Sequence, residues 1–322
     1  MQNVTLRQLE ALLAVVHRRS FTAAARDLHV TQPAVSMQVR ELESICDLPL
    51  LERIGRSVQP TEAGEEVARC AEGVAELLQR TGERLAALRG REAGLLKLGA
   101  VSTAKYFAPS LLAAFQRDHP GVTVRFAVGN RQEMARDLAH FESDLVIMGR
   151  PPRELETVAA PFARHPLVMI AAPTHPLARR RRIPLARVAS ETFLIREPGS
   201  GTRAAMEQLF EERGVAFRAS MEVSSNETIK QAVMAGMGIS LISAHTIGLE
   251  RAAGRLVLLD VVGLPVVREW FVIHLRRRQL SPIAAAFRDL LVERGASLIH
   301  AAVEPAAPGR RGGGRARRDL RA

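Results

Sequence analysis

The sequence predicts an α-helical winged helix-turn-helix domain joined by one long helix to an α/β domain of two lobes. Three observations carry this. Short amphipathic helices with Ser or Thr at their starts fill residues 1–60, a heptad-spaced apolar stripe occupies 61–92, and strands alternate with helices over 93–302. Residues 303–322 form an Arg/Gly-rich tail that is too poor in apolar side chains to pack and is expected to be disordered.

The first helix follows from Leu6, Leu9, Leu12, Leu13 and Val16, which recur on one face. Ser20 or Thr22 caps a second, short helix through Leu28, in which Ala23, Ala24 and Ala25 permit close packing. After a tight turn at His29 and Val30, Thr31 caps a third helix, with Pro33 in the first turn, where a missing N–H is harmless. On that helix Ala34, Val35, Val39 and Leu42 face inward, leaving Gln32, Ser36, Met37 and Arg40 outside. Such a second helix of a helix-turn-helix fits the DNA major groove. The run LLERIGRSVQPTEAG then reads as a two-stranded wing around Gly55, with Arg53 and Arg56 aimed at backbone or minor groove.

The string SFTAAARDLHVTQPAVSMQVRELE, with the wing and PTEAG after it, resembles the N-terminal domain of LysR-type transcriptional regulators. The resemblance implies that Gln32, Pro33 and Ser36 face the groove and that Arg53 and Arg56 contact DNA from the wing. Met37 departs from the family, in which Arg is common at this place. It offers an apolar contact to a thymine methyl, or serves only in packing. The implied partner is double-stranded operator DNA, with RNA polymerase a candidate second partner.

From Thr61 to Arg91, Val67, Ala71, Val74, Leu78, Thr81, Leu85 and Leu88 alternate at spacings of four and three. A helix of about 30 residues spans roughly 45 Å. A small winged domain cannot cover such a stripe, so Val67, Val74, Leu78, Leu85 and Leu88 are expected to pair two chains into a homodimer, or further into a homotetramer.

Beyond a hinge at 90–94, strand–helix–strand order predicts parallel sheets. Lobe I is expected to comprise 93–163 and 267–302, and lobe II 164–266, with crossovers near 161–166 and 263–268. This part resembles the effector domain of the same family, whose lobes are like those of periplasmic binding proteins. Ligands of parallel sheets lie beyond the carboxyl ends of strands, where helix starts offer free N–H donors. Four such ends are readable. They supply Ser102, Thr103 and Lys105; Asn130 and Arg131; Arg150; and Arg196, Ser200, Gly201, Thr202 and Arg203 from REPGSGTR. Asn226 and Thr228 open a helix after VSS and read as another edge of the site. Hydroxyls, glycines and guanidiniums with few acids favour an anionic metabolite. The stretches LKLGAVSTAKYFAPSLLAAF and FLIREPGSGTR resemble the branch that regulates carbon-fixation (RuBisCO, Calvin-cycle) operons, which implies a sugar phosphate, phosphoenolpyruvate or NADPH as effector.

The net charge of +11 does not itself announce a DNA-binding protein. The tail from Gly309 holds six Arg against one Asp, while residues 1–60 hold seven Arg against six acids. No histidine pair or Cys/His cluster has zinc-ligand spacing, so no metal and no tightly bound cofactor are expected. GSGTR lacks the glycine order of a nucleophile elbow, so enzymatic activity is not expected either. No apolar run is long enough to span a membrane, and the N-terminus lacks the apolar core of a signal peptide, which together predict a cytoplasmic protein. Two rival readings keep the same elements: a regulator of another pathway with a different small acid, and a solute-binding or enzymatic α/β domain whose helix-turn-helix serves assembly only.

Overall fold

The computed structural model describes residues 3–54, 57–88 and 94–303. It divides into two compact units, residues 1–91 and 92–322.

In the N-terminal unit, α1 (Leu6–Arg18), α2 (Phe21–Asp27) and α3 (Gln32–Cys46) precede the strands β1 (Leu51–Ile54) and β2 (Ser57–Pro60) and the helix α4 (Glu62–Leu88). Each of the first three helices starts where the sequence supplies a cap. The Thr5 side chain accepts from the Gln8 N–H in a reciprocal capping box, Ser20 accepts from Ala23 and Thr31 from Ala34. Ala11, Val15, Ala24, Val35 and Val39 close one core, and Leu9, Leu12, Leu42 and Leu50 close a second. The wing strands pair antiparallel from Leu51↔Pro60 to Ile54↔Ser57.

The heptad stripe divides along α4. Val67 and Ala71 are buried in the unit's own second core, and Val74 packs against it. The expectation that Val67 and Val74 belong to an inter-chain seam is therefore corrected, because the first turns of α4 lie on α1 and spend their apolar residues there. Further along, Leu78 and Leu85 are exposed, at 51% and 52%. The Leu88 side chain lies outside the described residues, as do Arg56 and the tail 304–322.

The C-terminal unit runs β3 (Gly94–Val101), α5 (Ala108–Asp118), β4 (Val122–Gly129), α6 (Arg131–Ala139), β5 (Leu145–Met148), β6 (Thr157–Ala171), α7 (Leu185–Ala189), β7 (Phe193–Arg196), α8 (Gly201–Glu212), β8 (Ala219–Val223), α9 (Asn226–Met234), β9 (Ser240–Ser243), α10 (Gly248–Ala252), β10 (Val257–Leu258), β11 (Val266–Leu275) and α11 (Pro282–Val303). The main sheet has the order β10-β6-β11-β5-β3-β4, with β9 on β6, and β7 pairs with β8 apart from it.

Two sequence expectations are corrected here. The sheet is mixed: β3 pairs parallel with β4 and β5, whereas β6 pairs antiparallel with β9, β10 and β11. The segment 161–166, expected to cross between lobes, is continuous strand within β6, and β11 runs beside it with Val266 opposite Leu167 and Leu275 opposite Thr157. Both lobes therefore share these two strands. Pro161 and Pro166 cause no break because a proline in extended backbone withdraws only its own donor from the ladder. Lobe I packs Leu96, Leu98, Phe107, Phe115, Trp270 and Phe287 into one core, and lobe II packs Phe193, Met206, Phe210 and Leu241 into another.

Candidate functional site

On α3, Gln32, Pro33, Met37 and Arg40 are exposed and Ser36 is half-buried, while Val35, Val39 and Leu42 are buried beneath them. Thr31 fixes the start of the helix, so the four outward positions of its first turns form one face. Met37 is 54% exposed, which leaves its side chain clear of the core. Arg53 projects from β1, also exposed. Arg18 is held against Asp27, so the guanidiniums of this unit are not all equally available for phosphate.

The second site lies between the lobes of the C-terminal unit. A cleft with a cavity volume of about 40 Å³ is lined by Ser102, Thr103, Asn130, Arg131, Arg150, Arg196, Ser200, Gly201 and Thr202. Each comes from an element that the alternation of strand and helix placed there. Ser102 follows β3, Asn130 caps α6, Arg150 follows β5, and Ser200 to Thr202 open α8. Ser200 stands at the helix start without using its side chain as a cap, and among the described residues the hydroxyls of Thr103, Ser200 and Thr202 make no hydrogen bond. All three residues are buried. Hydroxyls that line a cleft at a helix start without a protein partner are available to an anion as donors and acceptors. Gly199, at φ +83°, turns the chain from β7 into this helix.

Arg196 is present in the cleft but occupied. Its Nε and one Nη2 bond grip Glu197 at 2.7 and 2.8 Å, its Nη1 donates to Asn226 Oδ1 at 2.6 Å, and its Nη2 also reaches Ser102 Oγ at 3.0 Å. It is 3% exposed, with its charge matched by Glu197. Arg196 thus lines the cleft with its fork engaged by Glu197, Asn226 and the Ser224 carbonyl of lobe II and by one bond to Ser102 of lobe I.

Four other expected residues do not line the cleft. Lys105 lies beside the Tyr106 ring, at 5.4 Å from its centroid. Arg203 is turned to Glu207 and Glu222, at 2.8 and 2.7 Å. Asn226 is buried as the Arg196 partner, and Thr228 is exposed on α9, where its backbone N–H donates to the Ser225 hydroxyl. In each case a local partner claimed a polar group that the sequence left without one.

Sequence reasoning missed the floor. His165, Leu167, Arg268 and Trp270 line the cleft from β6 and β11, with Met148 and Gly149 from the end of β5. His165 stacks on Trp270 with ring centroids 3.9 Å apart, and Trp270 Nε1 donates to His245 Nδ1 at 3.0 Å. Burial pushes His165 down to about 3 and His245 down to about 4, so both rings are neutral near pH 7. The cross-strand register places Arg268 directly opposite His165. Only that pairing brings the two together, and nothing local in either strand announces it.

Comparison with known proteins identifies both units. The chain matches the bacterial regulatory helix-turn-helix protein, lysR family, over residues 6–65, and the LysR substrate binding domain over residues 89–296. It is 47% identical over 296 residues to a RuBisCO operon transcriptional regulator of Allochromatium vinosum, covering 92% of this chain and 98% of that one. It is 46% identical over 308 residues to the HTH-type transcriptional regulator CfxR of Cupriavidus necator, covering 96% and 97%. Among solved structures, the regulatory domain of CcmR from Synechocystis PCC6803, in complex with 2-PG, superposes with a TM-score of 0.60 at 42% identity, covering 62% of this chain and 96% of that one. Full-length CbnR complexed with its target DNA superposes with a TM-score of 0.61 at 27% identity, covering 91% and 100%. The capped recognition helix, the wing and the α/β unit with its polar cleft are thus those of a transcription regulator, and the chain belongs to the LysR family.

Proposed function

We propose that the protein regulates a carbon-fixation (RuBisCO) operon, reading operator DNA with α3 and the wing and responding to a small phosphorylated acid held in the cleft. The cleft chemistry carries the ligand half of this reading: three hydroxyls lining the cleft, the starts of α6 and α8, and an Arg150 guanidinium with no carboxylate partner among the described residues. The operon half follows relatives named for RuBisCO operons at 47% and 46% identity, and the phosphorylated class follows the relative seen with 2-PG.

In this reading Gln32, Pro33, Ser36, Met37 and Arg40 meet base edges, Arg53 meets backbone, and Leu78 and Leu85 pair two copies so that paired half-sites are engaged together. The same face admits a tetramer of two such dimers, with RNA polymerase as the downstream partner. In this reading the protein binds its ligand without transforming it, in keeping with relatives that are named as transcriptional regulators. No helix among the described residues is long and apolar enough to cross a membrane, which suits a regulator of cytoplasmic DNA.

The test is a footprint on the promoter DNA upstream of a RuBisCO operon, with and without 2-PG or phosphoenolpyruvate. The expected result is a protected paired half-site whose length or affinity changes with the ligand. Equal affinity for promoter and random DNA, or a footprint indifferent to every phosphorylated acid tried, overturns the corresponding half.

A further inference from the structure

His165 is buried, and neither of its ring nitrogens has a hydrogen-bond partner. Native proteins rarely leave such groups unpaired, because each forfeits its bonds to water with nothing in return. The Nδ1 atom lies beside Gly149, 3.0 Å from where a Cβ would stand, at the end of β5 where Arg150 begins. Opposite it in the strand ladder stands Arg268, whose pKa is lowered from its ordinary value first by burial and then by the nearby Arg150 guanidinium.

The cleft does not end there. Gly149, Arg150 and Arg268 are shared with a wider outer groove of about 600 Å³ that Arg164, Gln208 and Glu269 also line. Three guanidiniums thus face one carboxylate in that groove. Arg268 uses one bond on Gln208 Oε1 at 3.1 Å, while Arg150 and Arg164 have no ion pair among the described residues. Like charges gathered beside a buried, unpaired imidazole are a poor arrangement for an empty protein and a good one for a bound anion.

We propose that His165, Arg150 and Arg268 form a phosphate subsite at the β6–β11 end of the cleft, so that the effector is a two-ended acid with its second anionic group at the starts of α6 and α8. This rests on the cleft being the effector site. Two guanidinium forks and an imidazole N–H approach from separate strands, which suits the several oxygens of a tetrahedral phosphate; a flat carboxylate is satisfied by one fork. The other end, with the Ser200 and Thr202 hydroxyls and the helix N–H groups, suits the carboxylate.

Calorimetry on the full chain tests this with phosphoenolpyruvate and pyruvate, which share a carboxylate and differ in the phosphate. Wild type is expected to bind phosphoenolpyruvate at least tenfold tighter than pyruvate. Arg268→Gln, Arg150→Gln and His165→Phe, the last keeping a ring on Trp270, are expected to reduce that preference at least tenfold. Arg150 is exposed, so its variant folds even where the buried ring tolerates no change. A wild-type preference below tenfold overturns the proposal, and so does a preference that survives in Arg150→Gln and Arg268→Gln. Thr202→Val separates the two readings. If it weakens phosphoenolpyruvate binding while the Arg variants do not, the cleft stands and the subsite fails; if none of the variants matters, both fail.

Discussion

Arg196 of lobe II donates through Nη2 to the Ser102 hydroxyl of lobe I at 3.0 Å, across 94 positions of sequence. The same guanidinium holds Glu197 and Asn226 of its own lobe, so the bond to Ser102 reaches across from a side chain anchored on one wall of the cleft.

Arg196→Ala is therefore expected to destabilise the C-terminal unit by about 3 kcal/mol or more, because Glu197 and Asn226 lose a buried charged partner. Ser102→Ala removes one bond and should lower stability by only about 1 kcal/mol. Urea unfolding of both variants checks the order; equal effects would mean that Arg196 is not the latch.

For DNA, Gln32→Ala is expected to weaken the operator complex by roughly 1–3 kcal/mol and to blunt the preference for operator over random sequence. Arg53→Ala should weaken both complexes alike and reduce the salt slope by about one. Titrations at several salt concentrations distinguish the two patterns.

Along α4, position decides the phenotype. Leu78→Glu and Leu85→Glu alter exposed residues, so each should keep a folded N-terminal unit while dissociating the dimer and losing paired half-sites. Val67→Glu places a charge in the core of that unit and should unfold it. Sedimentation and circular dichroism together read this out; an unchanged oligomer in both Leu variants would place the interface elsewhere.

Acid should weaken the C-terminal unit in a defined window. His165 and His245 are held neutral at about 3 and about 4 against an ordinary value of 6.5, so below pH 6.5 the unfolded chain takes up protons that the fold refuses. Stability is full above that pH and falls as pH drops towards 4, by about 1.4 kcal/mol for each pH unit and ring when fully expressed. The melting temperature is expected to be level above pH 7 and to decline steadily below 6.5, less steeply in His165→Phe. A level profile down to pH 4 would contradict this account.

Gly64, the last residue of PTEAG, shows what a short motif encodes. A Cβ built there would lie 1.9 Å from the Leu50 carbonyl oxygen, so the start of α4 touches the chain entering the wing. Gly64→Val is expected to destabilise the N-terminal unit by about 1–3 kcal/mol and to weaken DNA binding by displacing the wing. Thermal melting with a binding titration checks it; a wild-type melt would show that the contact relaxes freely.

The legible parts of this molecule were those whose causes are local. Thr5, Ser20 and Thr31 cap helices from within three residues, and the outward face of α3 follows from its inward one. The ends with Ser102 and Asn130 converge because β3 and β4 pair in parallel, and Ser200 joins them from the end of β7 in the smaller sheet. What escaped were consequences of register. Arg268 meets His165 only because β6 and β11 pair antiparallel, and Arg203 leaves the cleft only because Glu207 and Glu222 lie within its reach. The helix α11 also went unread, since apolar residues outside the face that Ile283, Phe287, Leu290 and Leu298 turn to the core, such as the exposed Val292, blur its pattern.

The sharing of β6 and β11 by both lobes sets the mechanics of the response. Over 15 residues β6 is a ribbon of about 50 Å, laced to its neighbour from Leu167 down to Thr157 and interrupted by one bulge beside Trp270. Lobes joined by loops could swing freely; lobes joined by a laced ribbon can approach only by winding it. The one break in that lacing, the bulge beside Trp270, lies at the cleft floor, where such winding would meet the least resistance.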